Sequence, residues 1–455
     1  MPRLITEKTF YQYLKCPHWV YFSAQGGDKK HEALMDKLID GGLIEEKERE
    51  LISDRKELVE VTAEDPEQAF YQTLEYMREG RQTIYHGVLI DKHWVGHPDI
   101  LEKVEGKSKF GDYYYVAADI KNTRHIYDEH KFQGCFYAEL LGLLQGAKPR
   151  QGYVITPDNS VLEYLIEEFE GHYHLTLDAI ERVVAGQEPP HFMTSGCKQS
   201  PWYSECRSLS ESCADLSMLN RVWRQEVARL KKAGYETIES LADKSVAHLI
   251  KQVPDVAEWR LEIMRDQALA LRDNRYIIRQ SVDLPEADTE LYFDIESDPL
   301  RDFIYLFGVY EVSQDKQEYH AFMANYTDKE DEMWAEFAEF MASHIDCPVY
   351  HYGSYERDVV SRFAAKYGCS DLVREALERN LIDVLELIRP AVIFPLSFYS
   401  LKDIGAYVGY HWRAEDASGA NSVIWFEDWL RTKSDDLKKK ILEYNEDDVI
   451  ATYKV

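Results

Sequence analysis

Two stretches of the chain alternate apolar and polar residues at a period of two, and helical periodicity fills most of what lies between them. In the first stretch, residues 113–123 (YYYVAADIKNT) alternate as a half-buried strand does. GKSKFGD before them marks a turn from an earlier strand in HWVGHPDILEKVEG, itself preceded by GVLI. A helix containing HKFQGCFYAEL, a strand RQGYVIT and a helix LIEEFEGHYHLTLDAIERVVAG complete this unit. Ahead of it the pattern predicts one short amphipathic helix over 1–23, a charged helix over 28–57, and a helix EDPEQAFYQTLEYMREG with an acidic first turn and a terminal glycine.

From about 218 to 275 the pattern is wholly helical, with Gly234 at a turn and Ile238 and Leu241 on the inner face of LKKAGYETIESLAD. The second alternating stretch, LYFDIESDPLRDFIYLFGVYEV, predicts a strand, a turn and a returning strand. A strand YHAFMA, a helix KEDEMWAEFAEFMASHI, a short strand in PVYHYG and a terminal helix KKKILEYNEDDVIATYKV follow. The order predicts a multidomain α/β protein: a first domain over 1–217, a helical bridge over 218–280 and a further α/β domain over 285–455.

A chain of 455 residues with 45% apolar content has enough for two or three packed cores. No run of eighteen apolar residues and no charged-then-apolar leader is present, which predicts a cytoplasmic protein with no membrane partner. Seven scattered cysteines are not a secreted disulfide framework. The net charge of −29 opposes a nucleic-acid partner, because Lys and Arg supply most non-specific affinity for phosphate. Lys121, Arg124, His125, His130 and Lys131 are the local exception, either a phosphate track or a solvated face.

Residues two apart in a strand share a face, so Asp119 and Lys121 lie together, and a hairpin lets Asp99 join them. Carboxylates that converge repel unless a divalent cation sits between them, and oxygen donors suit Mg²⁺ or Mn²⁺. Gln133 and Tyr137 lie one helical turn apart and can reach the same centre. The set Pro98-Asp99, Asp119-Ile120-Lys121 and Gln133-x-x-x-Tyr137 resembles the PD-(D/E)XK nucleases of the RecB type in order and spacing. GGDKKHEAL upstream is similar to that family's Gly-x-x-x-His element. The resemblance implies a restriction-endonuclease-like fold, with Asp99, Asp119 and His31 holding metal and Lys121, Gln133 and Tyr137 serving catalysis.

Some RecB-type nucleases also carry a four-cysteine iron–sulfur cluster. The resemblance places its ligands at Cys16, Cys197 and Cys206, with Ser200 where a fourth cysteine stands. Thiolates hold such clusters, so either Cys213 substitutes, as part of an iron–sulfur or zinc site, or the thiols are free.

In the last third, Asp294 and Glu296 share a strand face, and Tyr444 and Asp448 lie four apart on one helix face. This resembles the DEDD 3′–5′ exonucleases of the RNase H-like fold, in their tyrosine subtype and YprB-like branch. The resemblance implies that Asp294, Glu296 and Asp448 bind two metal ions and that Tyr444 orients the attacking water. The middle acid departs from the pattern: Glu356 stands where the family has aspartate, with Asp358 and Asp383 as alternatives, and Asp447 is the alternative to Asp448. Tyr305, Phe307 and Trp334 are read as core side chains rather than base-stacking platforms. LKKAGYETIESLAD is similar to a helix-hairpin-helix module, the other reading of 218–280 being a spacer.

The ending inside a helix predicts that the chain continues, and relatives of this combination include versions that go on into a helicase. Together the resemblances imply a metal-dependent nuclease acting on single-stranded DNA or duplex ends in repair, recombination or defence, with a helicase domain or subunit as a partner. An RNA-directed exonuclease, or a nucleic-acid-binding or assembly subunit with one degenerate site, are the alternatives.

Overall fold

The computed structural model describes residues 4–27, 29 and 42–455. His31 lies outside the described residues. The chain divides into two compact units, one of residues 1–208 with 299–302 and one of 209–298 with 303–455. No described helix is long and apolar enough to cross a membrane.

The first unit is built on a mixed sheet of six strands in sequential order: β1 (Leu58–Glu60), β2 (Thr83–Tyr85), β3 (Ile100–Ser108), β4 (Gly111–Ile120), β5 (Gln151–Ile155) and β6 (Val161–Leu165). β1–β2 and β4–β5 pair parallel and the rest antiparallel. The helix Pro66–Glu79 precedes β2, and α1 (Asp128–Gln145) makes the crossover from β4 to β5 that a parallel pair requires. Phe132, Phe136, Tyr137, Leu140 and Leu141 of α1 are buried on the sheet. Gly96 lets this helix come close, since a Cβ there would stand 2.9 Å from Leu140 Cδ1.

Two expectations change in this unit. The single helix over 1–23 is two helices, Glu7–Lys15 and Pro17–Ala24, because the residue before a proline is driven out of the helical region and Cys16 is extended, with φ −156°. The helix expected from Leu165 begins only at Glu170, and Leu165 instead ends β6, whose alternating exposure is that of an edge strand.

The second unit carries a five-stranded sheet: β7 (Thr289–Asp298), β8 (Phe303–Ser313), β9 (Gln317–Met323), β10 (Val349–His351) and β11 (Leu381–Asp383). The spatial order is β9-β8-β7-β10-β11, antiparallel on the β9 side and parallel on the β11 side. Phe293, Phe307, Trp334, Phe337 and Phe363 form the aromatic centre of its core, and Trp334 donates to Gly368 O at 2.7 Å. Tyr305, Phe307 and Trp334 are therefore packing residues, as read from the sequence.

The helical stretch expected as a bridge belongs to this second unit. Ile277–Ile278 pairs antiparallel with Val392–Ile393, and Asn220 Nδ2 donates to Ser397 O at 2.9 Å. These bonds satisfy backbone groups that a free spacer leaves to water.

Candidate active site

Three carboxylates converge in the second unit. Oxygens of Asp294, Glu296 and Asp448 all lie within 4.8 Å of one another. Asp294 and Glu296 sit on one face of β7, opposite Gly308 and Leu306 of β8, and a bulge follows directly between Glu296 and Ser297. Asp448 comes from the long helix α2 (Asp435–Lys454), which packs along this sheet. The placement follows from two periods, two in the strand and 3.6 in the helix.

The same helix face carries two more functional groups. Asn445, fully buried, donates from Nδ2 to Asp294 Oδ2 at 2.8 Å and accepts from the Tyr319 hydroxyl at 2.8 Å. The room for it comes from Gly308, where a Cβ would stand 1.6 Å from Asn445 Oδ1. Tyr444 is buried and its hydroxyl donates to Asp448; burial first, then Asp448, Glu296 and Asp294, raise its pKa so that it remains a phenol. Trp412 Nε1 donates to Asp448 Oδ1 at 2.6 Å, and Lys402 Nζ stands 3.9 Å from the same oxygen, over the rings of Tyr444 and Trp412.

Crowding shows in the acidities. Burial, then Asp448, Glu296 and Glu356, hold Asp294 well above the usual carboxylate range. Burial and then Asp448 push Glu296 up to about 8, against hydrogen bonds with Ser422 and Asn445. Asp448 is raised by burial, with Lys402, Trp412 and Tyr444 opposing. Acids crowded in this way give up their protons to a cation more readily than to water, and a three-oxygen donor set fits Mg²⁺ or Mn²⁺.

The alternatives separate cleanly. Asp447 is held by the Tyr410 hydroxyl and by Arg413 Nε, each at 2.9 Å, and is not one of the three clustered carboxylates. Asp383 caps the helix Val384–Ala391, accepting from Leu385 N and Gly353 N at 2.9 Å. Asp358 is exposed, whereas Glu356 is buried, 3.4 Å from His351 Nδ1, with its Oε2 making no hydrogen bond. Of these, Glu356 helps to raise Asp294, and it stands outside the three-oxygen group.

The first unit holds a smaller centre. Asp99 N donates to Asp119 Oδ1 at 3.4 Å, and Asp99 Oδ2 accepts from Ile120 N at 2.7 Å, so the two acids are held reciprocally across β3 and β4. Lys121 Nζ is 3.9 Å from Asp119 Oδ2, and both side chains are buried. Burial pushes Asp119 up to about 7; Lys121 opposes this, and Asp99 and Glu7 add to it. Tyr137 reaches the turn before Asp99, donating to His97 O at 3.3 Å. Gln133 is buried on the same helix, but no hydrogen bond ties it to either acid among the described residues.

Two acids were not foreseen here. Glu7 is buried and accepts from His97 N at 3.2 Å, and Glu48 is buried with the Tyr85 hydroxyl 2.8 Å away. Among the described residues Asp99 and Asp119 gain no third ligand at metal spacing. Of the five basic residues read as a phosphate track or a solvated face, Lys121 is buried, Arg124 pairs with Asp302, Lys131 pairs with Asp128, and burial lowers His130 to about 4.

The cysteines meet only in part. Cys16, Cys197 and Cys206 are buried together, Cys16 Sγ standing 3.6 Å from Cys206 Sγ, while hydrogen bonds from Cys16 and Cys206 lower the pKa of Cys197. Cys213 is exposed and donates to Leu209 O, unlike the three buried thiols. Ser200 Oγ accepts from Trp202 N at 3.1 Å. Three thiols and a serine do not fit a four-thiolate cluster.

A five-stranded sheet with its acids on the central strand and the last helix defines an RNase H-like domain in the second unit. The RNase H superfamily model matches residues 291–455, the stretch that contains β7 from Leu291, the other four strands, and Asp294, Glu296 and Asp448. No curated protein matches the chain.

Proposed function

We propose that the protein is a divalent-metal-dependent nuclease whose working centre is the group Asp294, Glu296, Glu356 and Asp448. The observation that carries this reading is the convergence of three carboxylates from a strand and a distant helix inside an RNase H-like domain. A Mg²⁺ or Mn²⁺ ion, when bound, supplies an acidified water and neutralises phosphate charge. The chain's own groups do the rest: Asn445 fixes the Asp294 carboxylate, and the protonated Tyr444 offers a hydrogen-bond donor at the edge of the group.

The same reading makes DNA the substrate, as single strands or duplex ends. The test is hydrolysis of end-labelled single-stranded DNA, and of RNA of the same sequence, with Mn²⁺ and with Mg²⁺. Asp294→Asn abolishes cleavage if this centre works. Cleavage that survives Asp294→Asn and stops with Asp119→Asn transfers the reaction to the first unit. The helix Pro66–Glu79, the sheet strands β2, β3 and β4, the helix α1 and the strand β5 follow in that order, and with Asp99, Asp119 and Lys121 together this supports a RecB-like PD-(D/E)XK centre.

A second reading has one observation in its favour. Lys402 Nζ is buried beside Asp448 without a hydrogen bond, a resident positive charge where a cation is expected. This favours a nucleic-acid-binding subunit with a degenerate centre. Wild-type protein that binds DNA but cuts neither polymer establishes it.

A further inference from the structure

The second unit contains a groove that reverses the sign of the chain. Its volume is about 530 Å³, and its walls come from the helical stretch 220–280 and from residues 389–399. In a chain of net charge −29, four arginines line it, Arg221, Arg260, Arg279 and Arg389, and no carboxylate does among the described residues. Two of these guanidinium groups are already paired, Arg260 with Glu226 and Arg279 with Glu262 and Asp266. Arg221 and Arg389 are exposed and make no ion pair among the described residues.

Two indoles stand at the same groove. Trp223 and Trp259 are 69% and 60% exposed, unusual for the largest apolar side chain, and Arg260 lies over the Trp259 ring at 5.7 Å. A third feature is inside: Gln267 is 6% exposed, its Nε2 donates to Asn220 O at 3.1 Å, and its Oε1 is buried without a partner. Leaving such an acceptor unpaired is costly, and a ligand N–H satisfies it.

We infer that this groove binds single-stranded nucleic acid. The indoles stack on bases, Arg221 and Arg389 meet phosphates, and Gln267 Oε1 accepts from a base amine. The groove also leads to the acids: Tyr399 lines it, and Lys402, three residues on, stands beside Asp448, no more than about 11 Å of chain away. The inference deepens the proposed function by giving that centre its strand-holding surface, and it rests on that reading for the direction of the strand alone.

The test is fluorescence anisotropy of the whole chain with labelled oligothymidylate and oligouridylate of about twenty nucleotides, in EDTA so that nothing is cut. Trp223→Ala and Trp259→Ala each weaken binding about tenfold. The pair Arg221→Ala and Arg389→Ala lowers the slope of log affinity against log salt by about 1.4. Unchanged thermal midpoints show that the exposed positions were altered without unfolding. Affinities unchanged in all three variants overturn the inference, as does a mononucleotide that binds as tightly as the oligomer. Cleavage of the same oligomer in Mn²⁺ reads the acids separately: binding lost in the variants while the wild type cuts nothing sinks the nuclease reading and leaves the groove standing.

Discussion

The two acidic centres differ in how many elements build them and in what holds each acid. In the first unit, Asp119 accepts from the backbone amide of Asp99 and Asp99 from that of Ile120, and a buried lysine at 3.9 Å offsets part of their charge. In the second, Asp294, Glu296 and Asp448 meet without backbone partners of that kind, and Asn445, Ser422, Trp412 and Tyr444 hold them through side chains. A pair clasped by amides keeps its place with or without a cation. A trio crowded into one pocket stores repulsion that a cation relieves, which is how a strand pair differs from a dedicated metal site.

The largest effect that separates them is on hydrolysis. Asp294→Asn and Asp448→Asn each lower cleavage of single-stranded DNA about a hundredfold or more, since outer-shell changes alone cost 10–100-fold. Asp119→Asn leaves a larger residue of activity under the same conditions. Equal losses at the two centres break the comparison and make both sites necessary.

Next in size is a change that touches no acid. Gly308→Ala places a methyl group where Asn445 Oδ1 now lies, at 1.6 Å, so the amide has to leave Asp294 or the strand has to move. Cleavage falls about 10–100-fold, and the overpacked core loses about 1–3 kcal/mol of stability. Urea titration beside the kinetics separates the two. Gly96→Ala is the counterpart in the first unit, where a Cβ meets Leu140 Cδ1 at 2.9 Å and the Tyr137 ring at 3.1 Å while Asp99 keeps its bond from Ile120 N.

The third effect is on stability against pH. Glu296 is pushed up to about 8, above its unfolded value, so the native state binds a proton that the unfolded state has released. Stability of the metal-free protein is therefore highest below the unfolded pKa and falls as pH rises toward 8. Asp119, pushed up to about 7, acts with the same sign and finishes about a unit earlier. Melting midpoints between pH 5 and 9, with and without Mn²⁺, check this. The cation restores more at pH 8 than at pH 6, and Asp294→Asn removes most of the restoration.

How much of this was legible follows from period and spacing. Asp294 with Glu296, and Tyr444 with Asp448, could be paired because a strand and a helix each repeat within five residues. Asn445, Lys402, Ser422 and Trp412 were not legible, because what brings them to Asp294, Glu296 or Asp448 is tertiary packing rather than spacing. Gly308 did carry a signal: an isolated glycine inside FIYLFGVYEV marks a close approach to a strand. The pull of Cys16 toward 197 and 206 came through a resemblance, while the exposure of Cys213 is a matter of tertiary packing that spacing does not show.

That last point gives the smallest effect. Cys213 is exposed and its thiol donates only to carbonyls of its own turn, so Cys213→Ser changes stability by no more than about 0.5 kcal/mol. Cys206 is 1% exposed with Cys16 Sγ 3.6 Å away, and Cys206→Ser puts a more polar hydroxyl into that pocket and removes a thiol donor from Cys197. The expected loss there is about 1–3 kcal/mol. Denaturation curves of the two variants therefore separate a buried thiol group from a solvent-facing one. If Cys213→Ser proves as costly as Cys206→Ser, Cys213 is not a solvent-facing thiol and the contrast between the two cysteines fails.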